Sequence, residues 1–120
     1  MKEQSNKLTS LPNMETKKQK NLMEVFQEES PEVAQAFGRL IQSVSNMKAL
    51  EPKVKQLIYI AIRASQGETA AVTTHVPMAK RAGATRDELK EAIIMTTTVC
   101  GIKGIASCLI PALEAYDNAK

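Results

Sequence analysis

The sequence predicts an all-α protein of about six helices, and three observations carry that reading. Apolar residues recur at three- and four-residue spacings, which is the period of a helix with one buried side. No segment sustains the two-residue alternation of a strand. Helix boundaries are marked by residues that start or stop helices: Ser30-Pro31, Glu51-Pro52, Thr85-Arg86-Asp87-Glu88, Gly67 and Gly83.

Residues 1–13 are polar, contain Pro12 and lack periodicity, so they read as a flexible tail before a single domain of residues 14–120. Met14 to Glu29 is the first expected helix, with Leu22, Met23, Val25 and Phe26 as its apolar points. Ser30-Pro31 predicts the next start, with Ser as N-cap and Pro in the first turn, and Val33, Ala36, Phe37, Leu40, Ile41 and Val44 form its stripe. The organising stretch is Lys53 to Glu91. It opens with Val54, Leu57, Ile58, Ile60, Ala61, Ile62 and Ala64, apolar around most of a helical cylinder and so expected to be buried on several faces. Gly67 stands where a helix commonly ends in a left-handed residue. The helix from Thr69 to Ala82 follows, with Ala71, His75, Met78, Ala79 and Ala82 expected on one face. Thr85 to Glu88 is a capping box opening a helix striped by Leu89, Ala92, Ile93, Thr96 and Cys100. Gly101 and Gly104 interrupt it. Ile105 to Tyr116 forms the last helix, which Pro111 either kinks or starts.

Composition bounds the function. The chain is 43% hydrophobic against 24% charged, as expected of a globular domain, and no apolar run reaches the roughly 20 residues of a transmembrane helix. The opening MKEQSNKLTS lacks the apolar stretch of a secretory signal, so the expected location is cytoplasmic. The net charge of +3 comes from residues 1–20, with five lysines and two glutamates; the other 11 basic and 11 acidic residues balance. With aromatics at 3% and no basic face, a nucleic-acid partner is not expected. Cys100 and Cys108 are not spaced as a zinc site and read first as small buried hydrophobes. One histidine without grouped cysteines or carboxylates falls short of a catalytic zinc set, so no metal or cofactor is expected. The buried helix has no polar face to give to water, and Ile93 to Leu113 is nearly as apolar. A homo-oligomer would hide both.

Chemistry centres on His75, the only histidine. Glu68 lies seven residues earlier, about two helical turns, so a carboxylate and an imidazole can share a side and serve as acid and base. Thr73 and Thr74 add hydroxyls, and Pro77 has no N–H to give the Thr73 carbonyl. The competing reading makes Glu68 a dipole-favourable acid at the helix start and His75 a packing residue.

The ordered set Lys53-x-Lys55-x-Leu57-Ile58, the glycine corner, His75, Ala82-Gly83-Ala84-Thr85-x-x-Glu88-Leu89-x-Glu91-Ala92 and Leu113-Glu114-Ala115-Tyr116-Asp117 resembles the carboxymuconolactone decarboxylase and alkylhydroperoxidase D family. With Ser30-Pro31-Glu32-Val33 at the front, the resemblance spans about residues 25–118. It implies small helical subunits assembled as trimers or hexamers. The peroxidase branch uses Cys-x-x-Cys-x-x-x-His with a relay glutamate on the preceding helix. Laid over His75, the cysteine positions fall on Glu68 and Ala71 and the relay falls near Gln56, so only the histidine remains. Peroxide reduction needs a reactive thiolate and a resolving thiol, which only Cys100 or Cys108 could supply.

The decarboxylase branch, without redox cysteines, acts on a small lactone acid by proton transfer. His75 and Glu68 match that chemistry as the reacting pair, with Gln56, Ala71, Thr73, Thr74 and Cys100 as pocket candidates and Arg63 and Arg81 as possible holders of a substrate carboxylate. Three functions follow as expectations: a cofactor-free acid–base enzyme of lyase type on a small carboxylated molecule; a peroxiredoxin-like oxidoreductase using Cys100 or Cys108; or a non-catalytic oligomer binding a small molecule or partner protein.

Overall fold

The structure, a computed structural model, describes residues 21–120. The expected tail and residues 14–20 of the helix expected from Met14 lie outside the described residues; Asn21 is extended, so the helix that ends at Glu29 starts at Leu22 rather than running through this position. The described chain is helical, with no strand among the described residues. It divides after Met47 into two compact units.

In the first unit, α1 (Leu22–Glu29) and α2 (Pro31–Ser45) pack on each other. Asn21 starts α1 with a reciprocal capping box: its side chain accepts from Glu24 N–H, and Glu24 accepts from Asn21 N–H. Phe26 and Phe37 meet with ring centroids 6.1 Å apart and tilted by 54°, which is favourable aromatic geometry. Pro31 occupies the first turn of α2 as expected, but Ser30 makes no side-chain cap. The Ser30 backbone N–H instead closes α1 on the Phe26 carbonyl, so this residue ends one helix while beginning the next. Ala34 is buried, while Val33, Phe37, Leu40, Ile41 and Val44 leave much of their surface exposed.

The second unit contains α3 (Pro52–Ser65), α4 (Thr69–Arg81), α5 (Arg86–Met95), the single turn α6 (Thr97–Cys100), a π turn at Ile105–Leu109 and α7 (Ile110–Asn118). Gly67, at φ +73°, turns the chain so that α4 folds back on α3. The core forms where the helices meet: Ile60 and Ala64 from α3, Val72, Val76 and Ala79 from α4, Leu89 and Ile93 from α5, and Cys108 and Ala112 from the C-terminal segment. Burying each large aliphatic of this set contributes about 1.5–3 kcal/mol.

Two expectations about faces are corrected here. The buried side of α4 is Val72, Val76 and Ala79, whereas Met78 and Ala82 are exposed. The branched Val side chains fill the space against α3 and α7 that alanines would leave empty. Helix α3 is not enclosed on all sides within one chain either: Ile58 and Ile62 are 44% and 54% exposed.

Polar contacts fix the ends of the helices. The Thr85–Glu88 capping box is present in both directions, and Glu88 also pairs with Lys53 at 3.2 Å, joining the starts of α3 and α5. The expected last helix begins as a π turn and becomes α-helical only at Ile110, with Pro111 in its first turn. Pro111 cannot donate to the Ser107 carbonyl four residues back, and the Thr69 hydroxyl of α4 donates to it at 2.9 Å. Arg86 grips Asp117 through two nitrogens, and Lys80 donates to the Tyr116 and Ala119 carbonyls.

Gly104 sits at the tightest approach. A Cβ there would strike Thr96 Oγ1 and stand 3.1 Å from the Ala64 carbonyl, whereas Gly38 in α2 has nothing within 4 Å. Gly104→Ala should destabilise the protein by about 1–3 kcal/mol through overpacking. Gly38→Ala should stabilise it by about 0.5–1 kcal/mol. Urea denaturation of the two variants should give midpoints shifted in opposite directions.

Candidate functional site

Helix α3 carries Gln56, Tyr59 and Arg63, three and four residues apart and therefore on one side of the helix. Ile60 and Ala64 point into the core, which leaves this polar row along the flank where α4 comes down. Within α4, His75 immediately precedes the buried Val76 and follows Val72 by three residues, so its ring lies at the margin of the core and is half-buried.

The imidazole is held on two sides. Its Nδ1 is 3.0 Å from Gln56 Oε1, and its ring stacks on Tyr59 with centroids 3.9 Å apart and planes 28° from parallel. An amide oxygen can only accept, so this contact puts the proton on Nδ1 and leaves Nε2 with a lone pair. Arg63 Nε donates to the Tyr59 hydroxyl at 3.2 Å, its guanidinium carbon stands 5.7 Å from the Tyr59 ring centroid, and a second nitrogen donates to Gln66 Oε1 at 3.0 Å. Burial lowers the pKa of His75 below its usual 6.5, and the positive charge of Arg63 adds to the effect. The result is a neutral imidazole with one nitrogen available to take a proton.

The other sequence-derived candidates are distributed around this centre. Gln56 is hydrogen-bonded to the histidine. Glu68 is exposed at the N-cap position of α4, where its carbonyl accepts from Val72 N–H; its side chain makes no cap bond, and its charge acts on Arg63. Glu68 and His75 are not hydrogen-bonded to each other, and among the described residues the ring partners of His75 are Gln56 and Tyr59. Ala71 is half-buried. The Thr73 and Thr74 hydroxyls both turn back to the Ala70 carbonyl, at 3.2 and 2.8 Å. Arg81 is exposed in the last turn of α4.

Neither thiol is hydrogen-bonded to the histidine. Cys100 is half-buried with Sγ on the Thr96 carbonyl, and Cys108 is fully buried with Sγ 3.9 Å from Thr69 Oγ1. No group of three His, Cys, Asp or Glu side chains among the described residues is placed to hold a metal ion. Tyr59 was not singled out from the sequence. The available signal was its spacing of three from Gln56 and four from Arg63, together with the scarcity of aromatics.

A second surface lies on another side of α3. Val54, Leu57, Ile58, Ala61 and Ile62, with Ala92, Met95 and Val99 from α5 and α6, line an open apolar groove of about 450 Å³.

A helical hairpin that presents one stacked, hydrogen-bonded histidine defines an all-α protein with a histidine-centred site. The profile of the carboxymuconolactone decarboxylase family matches residues 31–114, and the chain belongs to that family. Among solved structures it is similar to a carboxymuconolactone decarboxylase family protein from Legionella pneumophila, determined without ligand. Identity is 28%, coverage 79% of this chain and 84% of that one, and the TM-score 0.70. A candidate carboxymuconolactone decarboxylase from Burkholderia xenovorans LB400 shares the fold at a TM-score of 0.73 and 23% identity, covering 82% of this chain and 77% of that one. No curated protein gives a significant match. No helix among the described residues is long and apolar enough to cross a membrane.

The lowered pKa of His75 has a definite sign in stability. The unfolded chain takes up this proton near pH 6.5 and the folded chain only at lower pH, so stability declines as pH falls from 6.5 toward the folded value. Glu88, lowered chiefly by the Thr85 N–H, and Asp117, lowered chiefly by Arg86, lose their contributions only at more acidic pH, below about 4.5 and 3.8. Proton NMR should therefore show His75 titrating with a midpoint below 6.5. His75→Gln should flatten the fall in urea stability between pH 7 and pH 5.

Proposed function

We propose that this chain is a cofactor-free acid–base enzyme of lyase type acting on a small carboxylated molecule, with Nε2 of His75 as the proton-transferring atom. One observation carries the reading: the 3.0 Å contact of Nδ1 with Gln56 Oε1, which commits one ring nitrogen and frees the other. In a decarboxylation the bond from carbon to the carboxylate breaks and CO2 leaves. The electron pair stays on carbon and takes a proton, so one proton is consumed overall. An imidazole with a depressed pKa suits that step, because its conjugate acid surrenders a proton readily.

Arg63 supplies a positive charge beside the imidazole, a partner for the substrate's carboxylate, and Glu68 at the start of α4 is the second titratable group of the proposed site. Family membership supports this class of chemistry, and the departure from Cys-x-x-Cys at Glu68 and Ala71 favours its decarboxylase branch over thiol chemistry. We further propose that the subunits assemble as a homo-oligomer, a trimer or hexamer, through the apolar groove of α3 and α5. The exposed Ile58, Ile62, Met95 and Val99 side chains support it.

The test is CO2 release, together with deuterium incorporation from D2O followed by proton NMR, on a panel of small lactone and β-keto carboxylic acids. Turnover should fall about 10²–10⁴-fold in His75→Asn, and kcat/KM of the wild type should drop as pH rises through the His75 titration, because the proton-donating imidazolium is lost. Unchanged turnover in His75→Asn would remove the reading. For the assembly, Ile62→Asp should move the sedimentation coefficient to that of a single subunit.

A further inference from the structure

We propose that Tyr59 and Arg63 are positioning residues for the His75 imidazole: the phenol ring fixes the plane of the imidazole by stacking, and Arg63 fixes the phenol. The consequence for turnover rests on the acid–base reading of His75, whereas the geometric claim stands without it.

A single hydrogen bond at Nδ1 holds one point of the ring and leaves its plane free to rock about that contact. The direction of the Nε2 lone pair then wanders, and a proton transfer needs that direction defined. Tyr59 removes the freedom by lying against the ring face, with centroids 3.9 Å apart and 28° between planes. The phenol would itself swing about its side-chain torsions if its far end were loose. Its hydroxyl instead accepts from Arg63 Nε at 3.2 Å, and Arg63 is held in turn by Gln66 Oε1 at the end of α3. The chain of contacts therefore starts at Gln66, the C-cap of α3, runs through Arg63, Tyr59 and His75, and ends on α3 at Gln56.

Chemistry explains why an aromatic stands here. Between Val54 and Ala64 the other uncharged residues of α3 are aliphatic apart from Gln56, and an aliphatic side chain could cover the imidazole but would offer Arg63 nothing to bind. Tyr116, the other tyrosine of the chain, is occupied elsewhere, donating to the Ala84 carbonyl beneath Lys80. The charged groups that bear on His75 are Arg63 directly and Glu68 through its effect on Arg63.

Because His75 is the only histidine, its imidazole signals in the full-length protein need no assignment. The experiment records proton shifts and nitrogen-15 tautomer populations of His75, without substrate, in wild type, Tyr59→Phe, Tyr59→Leu and Arg63→Gln, with circular dichroism confirming the fold. In wild type the His75 ring protons should be displaced upfield by the stacked phenol and the Nδ1–H tautomer should dominate. Tyr59→Phe should keep most of the displacement. Tyr59→Leu should lose it and drift toward the tautomer mixture of free imidazole, and Arg63→Gln should shrink the displacement.

His75 signals in Tyr59→Leu that superpose on wild type would overturn the proposal. If that variant does not fold, unchanged signals in Arg63→Gln overturn it equally. With a substrate in hand, Tyr59→Leu should lose about tenfold or more in kcat with little change in KM, and Tyr59→Phe should recover most of it. A Tyr59→Leu enzyme with full kcat would sink the functional part even where the spectra move. Failure of the acid–base reading itself shows differently, as absent turnover in the wild type or full turnover in His75→Asn, with the spectra unaffected.

Discussion

The return of α4 against α3 is the constraint on which the second unit depends. It is made by one left-handed residue, Gly67, and by the fit of Val72 and Val76 against Ile60 and Ala64. Once those valines are seated, His75 is carried to the flank of α3 with no further choice of register, because it is chemically bonded next to one of them. A one-residue slip of α4 would rotate it by about 100° and take the imidazole away from Gln56 and Tyr59. Core packing and site assembly are thus a single event. The His75 cluster inherits its precision from apolar contacts that lie outside it.

Much of this was legible in the sequence, for reasons that can be named. Local signals act within a few residues, so Pro31 in its first turn, the Thr85–Glu88 box and the stop at Gly67 are all found where their residue types place them. His75 and Gln56 were readable as candidates through family spacing. The structure brings them together, 19 residues apart in sequence and 3.0 Å in space. The capping box at Asn21 was available on the same logic as the one at Thr85, though less conspicuous beside a lysine-rich stretch.

What was not legible depends on which side of a helix meets which neighbour. The expected face of α4, Ala71, His75, Met78, Ala79 and Ala82, shares only Ala79 with the buried stripe of Val72, Val76 and Ala79, because interhelical space is filled by volume rather than by smallness. Tyr59 escaped notice for a related reason: periodicity identifies faces but does not say what stands opposite them. The hydroxyls of Thr73 and Thr74, attractive as neighbours of a histidine, satisfy the Ala70 carbonyl instead, a local bond that competes with any distant partner. The Thr69 hydroxyl, which donates to the Ser107 carbonyl, joins residues 38 apart and leaves no trace in local pattern.

Helix α3 is used on three sides at once. Ile60 and Ala64 belong to the core, Gln56, Tyr59 and Arg63 to the histidine, and Val54, Ile58, Ala61 and Ile62 to the open groove, while Lys53 ties its first turn to Glu88. Almost no residue between Lys53 and Ser65 is left to vary silently. Such a segment should drift slowly among relatives while the surrounding loops diverge, and its face-to-face geometry makes a replacement in one place audible in the others. Any attempt to redesign the pocket has to reckon with a rod whose reverse side is already in use.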